Sequence, residues 1–253
     1  MERFRTHDGI ELAYDEVGAP DGPPVLLLHG FAASTKANWE QPGITTVLAE
    51  AGYRTFGLDA RGHGRSDKPH EPAAYPKLSM VQDASALLDH LDLASVAVVG
   101  YSMGSLTTAV LLPLEPRARL GVLGGVGHRM LRGRATADTD AIAAALEAED
   151  PAAVGDPTAR GFRAFAEATG ADRLALAATQ RAALHGDPID VSGIRVPVLV
   201  VTGEADTLVG DPHRLAEAIP GARATVVSGD HLSAVNDPAF AAAVVSFLDE
   251  HPA

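Results

Sequence analysis

Residues 96–104, VAVVGYSMG, join a buried-strand pattern to a Gly-x-Ser-x-Gly turn and then to a helix. The four apolar residues before Gly100 are typical of a strand covered on both faces, and residues 106–112 continue as a helix. Ser102 is therefore expected at a sharp strand-to-helix corner, where the flanking glycines prevent steric clashes. This geometry predicts a nucleophilic serine, with the backbone N–H of Met103 opening the helix and donating to an oxyanion.

Composition restricts the class of protein. The chain has 253 residues, of which 46% are hydrophobic and 21% are charged, and this fits one large or two small globular domains. The formal charge of -13 argues against nucleic acid and anionic membranes as partners, because the 20 Lys and Arg residues form no basic stripe. Without cysteine there is no disulfide, no thiolate metal site and no cysteine nucleophile. No apolar run is long enough to span a bilayer, so we expect a cytoplasmic protein.

Strands and helices alternate along most of the chain. Residues 4–17 alternate around Asp8-Gly9, which predicts an antiparallel hairpin. This alternation predicts an α/β fold with a mostly parallel, doubly wound sheet and right-handed crossovers. Further strands are predicted at residues 25–28, 53–58, 120–123, 196–201 and 224–227, and helices at 39–51, 78–91 and 238–251 with Asp237 as a cap.

Residues 127–194 interrupt this pattern and are too long for a simple loop. Helical patterns occur there at residues 140–149, 161–169 and 171–184. We expect these residues to form a small helical cap over the carboxyl ends of the strands. The core domain would then consist of residues 1–126 and 195–253.

A serine hydroxyl needs a base in order to attack a carbonyl, and the base needs an orienting acid. In an open parallel sheet these partners are expected on loops after later strands. Asp206 follows the strand at residues 196–201 and His231 follows the next strand, so the order is Ser, Asp, His. Glu204 and Asp211 are the alternatives for the acid. The neighbouring polar residues are expected to be structural, with Ser105 packing or capping inside the helix and Asp230 forming a turn.

Five segments together resemble the α/β-hydrolase family. They are residues 29–31 (HGF), 59–67 (DARGHGRSD), 100–104 (GYSMG), 203–206 (GEAD) and 229–231 (GDH). They occur in the family's order, and the resemblance covers nearly the whole chain outside the cap. The family's spacing after Gly203 favours Asp206 as the acid.

The resemblance also implies the rest of the catalytic machinery. The second oxyanion donor is expected in the loop after the strand at residues 25–28, where the N–H of Phe31 fits best and that of Ala32 is the alternative. His29 is expected to shape the turn beneath this loop. Residues 59–67, which include His63, would form a structural turn in which Arg61 pairs with a carboxylate.

Within the family, the short cap and the overall size make the chain similar to the branch of carboxylesterases, enol-lactonases and cofactor-free haloperoxidases. Ser102 disfavours the haloalkane dehalogenases and epoxide hydrolases, which place an aspartate there. The sequence thus predicts a serine hydrolase that cleaves a carboxylic ester or lactone through an acyl-enzyme, without a metal or organic cofactor. Perhydrolysis, carbon–carbon bond hydrolysis and acyl transfer are alternatives at the same site. A slow-turnover receptor for a small ligand is an alternative from another class.

The cap is expected to set substrate specificity. In the core domain, Phe31 and Ala32 are the predicted substrate contacts. His128 is expected either at the surface or in the wall of the pocket. Each apolar residue of the cap could equally pack the cap on the sheet instead of contacting the substrate. The sequence leaves the natural substrate and the oligomeric state open. The cap residues considered are Phe162 and Phe165, which we predict to bind substrate, together with Leu174 and Leu176.

Overall fold

An eight-stranded sheet organises the chain. The structure, a computed structural model, describes residues 1–133, 136–182 and 187–252. The strands are β1 (Glu2–Arg5), β2 (Glu11–Val17), β3 (Pro24–Leu28), β4 (Arg54–Leu58), β5 (Val96–Tyr101), β6 (Ala118–Gly124), β7 (Val198–Gly203) and β8 (Arg223–Val227). The α-helices are α1 (Ile44–Glu50), α2 (Ser79–His90), α3 (Met103–Leu111), α4 (Thr136–Glu147), α5 (Pro157–Thr169), α6 (Arg173–Gln180), α7 (Pro212–Glu217) and α8 (Pro238–Asp249).

The strand order is β1-β2-β4-β3-β5-β6-β7-β8. β1 pairs antiparallel with β2, as the Asp8-Gly9 turn predicts, and β2 pairs antiparallel with β4. The remaining pairs are parallel. The order of strands reverses around β3 and β5, and in open α/β sheets ligands bind at the carboxyl ends of strands at such a switch point. Leu28 at the end of β3 lies opposite Gly100 in β5, so the loops that follow the two strands are neighbours.

Both faces of the sheet are covered. Side chains alternate along a strand, so Leu26 and Val98 pack with residues of α2, α3 and α7 on one face. Leu27 and Val99 pack with residues of α1 and α8 on the other face. Burial on both faces explains why these strands are continuous apolar runs in the sequence.

The helices between β6 and β7 form a third apolar cluster. α4 packs against α5 and α6. Their buried side chains, such as Ile142 and Leu176, cluster with Phe31 and Met103 at the carboxyl edge of the sheet. Other residues of this insertion, including Ile189, pack instead with the cluster on the face of the sheet that α2, α3 and α7 cover. The division into a core domain and a cap stays a prediction.

Several predicted element boundaries are wrong, each for a local reason. The helix predicted from Trp39 begins only at Ile44, because Pro42 lacks an N–H and Gly43 has a left-handed backbone (φ +80°). Trp39 lies instead in a separate turn of π-helix, Lys36–Glu40.

The helices of the insertion also differ from the predicted boundaries. α5 begins four residues earlier than expected, because the Asp156 side chain accepts the Ala159 N–H at 2.7 Å and Pro157 suits a first turn. α6 ends at Gln180, whereas the prediction extended to Leu184; residues 183–186 lie outside the described part of the chain. Within the described ranges, no helix combines the length and apolar composition that crossing a membrane requires.

Candidate active site

Ser102 occupies the corner between β5 and α3. Its backbone angles are φ 51° and ψ -110°, a sparsely populated combination that costs about 1–3 kcal/mol. A Cβ on Gly100 would overlap the Gly104 backbone, and a Cβ on Gly104 would overlap the Leu28 carbonyl. The N–H of Ser102 donates to Gly124 O at 2.8 Å, which anchors the corner to β6. Only glycine at both flanking positions lets α3 pack this closely on β3 and β5.

Three side chains form a continuous hydrogen-bonded series at this corner. His231 Nε2 lies 2.9 Å from Ser102 Oγ, and His231 Nδ1 lies 2.7 Å from Asp206 Oδ2. Because a carboxylate only accepts, Nδ1 carries a proton and Nε2 is left to accept the Ser102 hydroxyl. The other Asp206 oxygen, Oδ1, accepts the Leu208 N–H at 3.0 Å. The carboxylate is completely buried and cannot rotate without losing one of these bonds.

The loops after β7 and β8 bring the acid and the histidine to the serine. Gly203, the last residue of β7, packs so closely on Gly229 that a Cβ would overlap the Gly229 carbonyl. The Asp206 N–H donates to Gly203 O at 3.1 Å and closes the turn that presents the carboxylate. Hydrogen bonds from Glu204 N–H to Val227 O and from Ala205 N–H to Gly229 O tie the two loops together.

Tyr101 holds the histidine loop, a role that the sequence analysis missed. Its hydroxyl donates to the His231 backbone carbonyl at 2.8 Å. Burial raises the pKa of the Tyr101 phenol, so it stays a donor. The residue that precedes the corner serine therefore fixes the backbone of the histidine. Its position next to Ser102 was the available signal.

The alternatives for the acid lie elsewhere. Glu204 is exposed. Asp211 caps α7 by accepting the His213 N–H at 2.8 Å. The Asp230 carboxylate accepts the N–H groups of Leu232 and Ser233, as expected for a turn.

Two further polar residues have structural contacts. Ser105 is buried and donates its hydroxyl to Gly124 O at 2.7 Å. His128 Nδ1 accepts the Asp211 N–H at 2.9 Å, and His128 is absent from the wall of the cavity described below.

The loop after β3 forms a tight turn beside Ser102. Ala33 N–H donates to Gly30 O at 3.2 Å, and Ala32 has a left-handed backbone with φ +58°. Gly30 N–H donates to the buried side chain of Asn38, at 2.9 Å from Oδ1. Phe31 and Ala32 are the two central residues of this turn.

His29 fixes the orientation of the turn. Its Nε2 accepts the Ala60 N–H at 3.0 Å, so the proton is on Nδ1, which donates to Gly30 O at 2.8 Å. Burial lowers the pKa of His29, with a partial opposing effect from the Asp59 carboxylate, and the ring is therefore neutral. The predicted pairing of Arg61 with a carboxylate is present in the same region, at 2.6 Å from Asp83 Oδ1.

A cavity of about 510 Å³ opens above Ser102 and His231. Phe31 and Phe162 both line it, with their rings in T-shaped contact at a centroid distance of 5.8 Å. Ala32 and Phe165 are absent from the wall: Ala32 is fully buried in its turn, and Phe165 packs against the third apolar cluster.

The two leucines of the insertion that were considered do not line the cavity either. Leu174 is 47% exposed, and Leu176 is buried within the third apolar cluster.

One buried polar residue lies on the cavity wall. Gln180 is 3% exposed, and its Oε1 makes no hydrogen bond to any residue that the structure describes. The charged residues that line the cavity are at least partly exposed: Arg129, Arg132, Asp138, Asp156 and Asp187. No group of three or more His, Asp or Glu residues in the described ranges is arranged to hold a metal ion.

Sequence comparison matches this chain to known proteins over part of its length. Residues 23–120 match the family model of the alpha/beta hydrolase fold. An epoxide hydrolase of Caballeronia sordidicola is 39% identical over 98 residues, which are 39% of this chain but only 28% of that relative. The match thus spans less than a third of the relative's length.

Solved structures match nearly the whole chain. A hydrolase from Pseudomonas aeruginosa PA01 is 29% identical, covers 97% of both chains and has a TM-score of 0.80. The enol-lactonase from Burkholderia xenovorans LB400 is 24% identical, covers 98% of this chain and 100% of the other, and has a TM-score of 0.83. With the eight-stranded sheet and the corner at Ser102, these matches show that the chain has the α/β-hydrolase fold.

Proposed function

We propose that the protein is a serine hydrolase that cleaves a carboxylic ester or a lactone through an acyl-enzyme. The observation that carries this proposal is the uninterrupted hydrogen-bonded series from Ser102 Oγ through His231 to the buried Asp206 carboxylate. A neutral imidazole that accepts from a serine hydroxyl and donates to a carboxylate is the arrangement that general-base activation of that serine needs.

In the first half-reaction, His231 Nε2 takes the Ser102 proton as Oγ bonds to the substrate carbonyl carbon. The Asp206 carboxylate stabilises the imidazolium and keeps its orientation. His231 then protonates the departing alkoxide, and the carbon–oxygen ester bond breaks. In the second half-reaction, His231 removes a proton from water, which attacks the acyl-enzyme, and the proton returns to Ser102 as the acid leaves.

Negative charge develops on the carbonyl oxygen in both halves. Met103 is the first residue of α3, so its N–H lies in the first helical turn, where a helix provides no acceptor. We assign the backbone N–H groups of Met103 and Phe31 as the two oxyanion donors, with Ala32 N–H as the alternative to Phe31. Loss of one such donor typically costs about 2.7–4 kcal/mol of transition-state stabilisation.

The cavity suits a small substrate with an apolar part. Its volume of about 510 Å³ lies within the range of ligand sites, and Phe31, Met103 and Phe162 supply apolar wall beside Ser102. The buried amide of Gln180 offers a polar contact, because a substrate donor would satisfy its Oε1, which has no partner among the described residues.

The chemistry of Ser102 opposes epoxide opening, although a relative is named an epoxide hydrolase. A serine that attacked an epoxide carbon would form an ether, and an ether has no carbonyl for water to attack in the second step. A serine ester can be hydrolysed by attack of water on its carbonyl carbon, so acyl transfer to water fits this nucleophile.

A substrate panel tests the proposal. Short and medium p-nitrophenyl esters, aliphatic lactones and a styrene-type epoxide would be assayed with the wild-type protein and with Ser102→Ala. We expect turnover of esters or lactones by the wild type, none above background by Ser102→Ala, and no epoxide opening by either. Epoxide turnover, or ester turnover that survives in Ser102→Ala, would overturn the proposal. Peracid formation on addition of hydrogen peroxide, compared with ester hydrolysis in one assay, separates hydrolysis from perhydrolysis.

A further inference from the structure

Helix α5 of the insertion ends against the turn that carries Phe31. Thr169 Oγ1, at the last residue of α5, lies 2.8 Å from the carbonyl oxygen of Ala32. Ala32 has no exposed surface, and no second hydrogen bond reaches its carbonyl from the residues that the structure describes. Buried carbonyls need a partner, and Thr169 provides it.

The Thr169 hydroxyl has one proton and three nearby carbonyl oxygens. Besides Ala32 O, Oγ1 lies 3.0 Å from Phe165 O and 3.1 Å from Ala166 O. Ala166 O already accepts the N–H groups of Gly170 and Ala171. Phe165 O is the regular acceptor of the Thr169 N–H in an α-helix. The proton therefore belongs on the shortest contact, where the acceptor has no other donor.

The Ala32 carbonyl is connected to the N–H of Phe31 by two peptide groups. The peptide that contains Ala32 C=O also contains Ala33 N–H, which donates to Gly30 O at 3.2 Å and shares that oxygen with His29 Nδ1 at 2.8 Å. The peptide that contains Gly30 C=O also contains Phe31 N–H. In a trans peptide the C=O and N–H point in opposite directions, so holding Gly30 O fixes the direction of Phe31 N–H. Each bond in such a series polarises the next and strengthens its donor.

The sequence of the turn at residues 30–33 does not favour its backbone conformation. Its third residue, Ala32, has φ +58°, a conformation that glycine or asparagine would normally supply at that position of a turn. Contacts from α5 at both central residues of the turn offset this: Phe162 packs on the Phe31 ring, and Thr169 binds the Ala32 carbonyl.

We propose that Thr169 is a positioning residue whose hydroxyl begins a hydrogen-bond series through Ala32 and Gly30 that orients and polarises Phe31 N–H as an oxyanion donor. The proposal rests on the function proposed above. It makes the insertion part of the catalytic machinery as well as a cover for the cavity.

The test compares three substitutions in the full chain. Thr169→Val removes the hydroxyl and keeps the shape, and Thr169→Ser keeps the hydroxyl and loses a methyl group. Thr179→Val is the matched control: Thr179 is a buried threonine of α6 whose hydroxyl donates to Ala175 O at 2.9 Å. For each folded variant, kcat and KM for a p-nitrophenyl ester and the inhibition constant of an alkylboronic acid would be measured. The boronate adduct places an oxygen where the oxyanion forms.

We expect Thr169→Val to lower kcat about tenfold with KM within twofold, less than the 10²–10³-fold typical of losing a donor outright. The boronate inhibition constant should rise by a similar factor. Thr169→Ser should stay within twofold of the wild type, and Thr179→Val should keep kcat whatever its melting temperature.

Three results would overturn the positioning role. They are an unchanged kcat in Thr169→Val, equal losses of kcat in Thr169→Val and Thr179→Val, and failure of Thr169→Ser to recover activity. If Thr169→Val does not fold, Thr169→Ala against Thr169→Ser gives the same comparison. Ser102→Ala, assayed in parallel, separates the two proposals, because ester turnover that survives in that variant removes the proposed function itself.

Discussion

His231 Nε2 and Ser102 Oγ lie 2.9 Å apart, although 129 positions separate the two residues in the chain. The distance depends on three supports from different elements. The corner fixes Ser102, the Tyr101 hydroxyl holds the His231 backbone, and the buried Asp206 carboxylate holds the imidazole.

Asp206→Asn should lower kcat for ester hydrolysis by about 10³–10⁴-fold, because an amide in this position favours the wrong imidazole tautomer. Steady-state kinetics on a p-nitrophenyl ester measure the loss. Glu204→Gln and Asp211→Asn are the matched controls and should retain wild-type kcat. If one of the controls lost activity and Asp206→Asn did not, the acid would have been assigned to the wrong residue.

Gly104→Ala should lower the free energy of unfolding by more than about 3 kcal/mol, because its Cβ would overlap the Leu28 carbonyl and neither backbone can move cheaply. Gly161→Ala is the control. Gly161 lies inside α5 with open space around its Cα, so alanine should raise the free energy of unfolding by about 1 kcal/mol. Urea denaturation measures both values, and a tolerated Gly104→Ala would contradict the close packing of α3 on β3.

Gln180→Met should leave the free energy of unfolding unchanged or raise it by about 1 kcal/mol, because it keeps a similar shape and removes a buried acceptor that no described residue satisfies. The same change should lower kcat/KM about three- to tenfold for a hydroxylated acyl ester relative to its alkyl counterpart, the size of one hydrogen bond. Competition between the two esters in one assay measures the ratio. Equal losses for both esters would show that Gln180 does not contact the hydroxyl.

The free energy of unfolding should decrease in acid, because His29 binds a proton more readily in the unfolded chain than in the native state. Burial lowers the pKa of His29 in the native state, so as pH falls below about 6.5 the unfolded chain binds a proton that the native state does not. The contribution of neutral His29 to the free energy of unfolding is fully present above the pKa that His29 has in the unfolded chain. It decreases by up to about 1.4 kcal/mol per pH unit until the pH reaches the pKa that His29 has in the native state. Denaturant titrations at pH 7.5 and 5.5 measure this loss, and His29→Gln should show a smaller difference between the two. An identical difference in His29→Gln would assign the acid sensitivity to other groups.

Much of the fold follows from the sequence, because its strands are apolar on both faces and alternate with helices. The order of Ser102, Asp206 and His231 follows in the same way, since each lies just after a strand whose pattern is clear. Boundaries failed where a local capping or breaking signal outweighed periodicity, as at Gly43 and Asp156.

The contacts of the insertion with the rest of the chain could not be predicted. Nothing in the periodicity of α5 indicates that Thr169 binds Ala32, or that Phe162 lines the cavity while Phe165 packs against the third apolar cluster. These contacts depend on how the insertion packs on the sheet, and that packing follows from side-chain shapes in three dimensions.

The central claim, that Ser102 accepts the acyl group, is tested most directly by intact-protein mass spectrometry after acid quench of the reaction with a p-nitrophenyl ester. Ser105→Ala is the matched control, because Ser105 is three positions along the chain and donates only to a backbone carbonyl. We predict that the wild type and Ser105→Ala each gain the mass of one acyl group, located on Ser102 by peptide mapping, and that Ser102→Ala gains none. An acyl adduct of equal yield in Ser102→Ala would contradict the account.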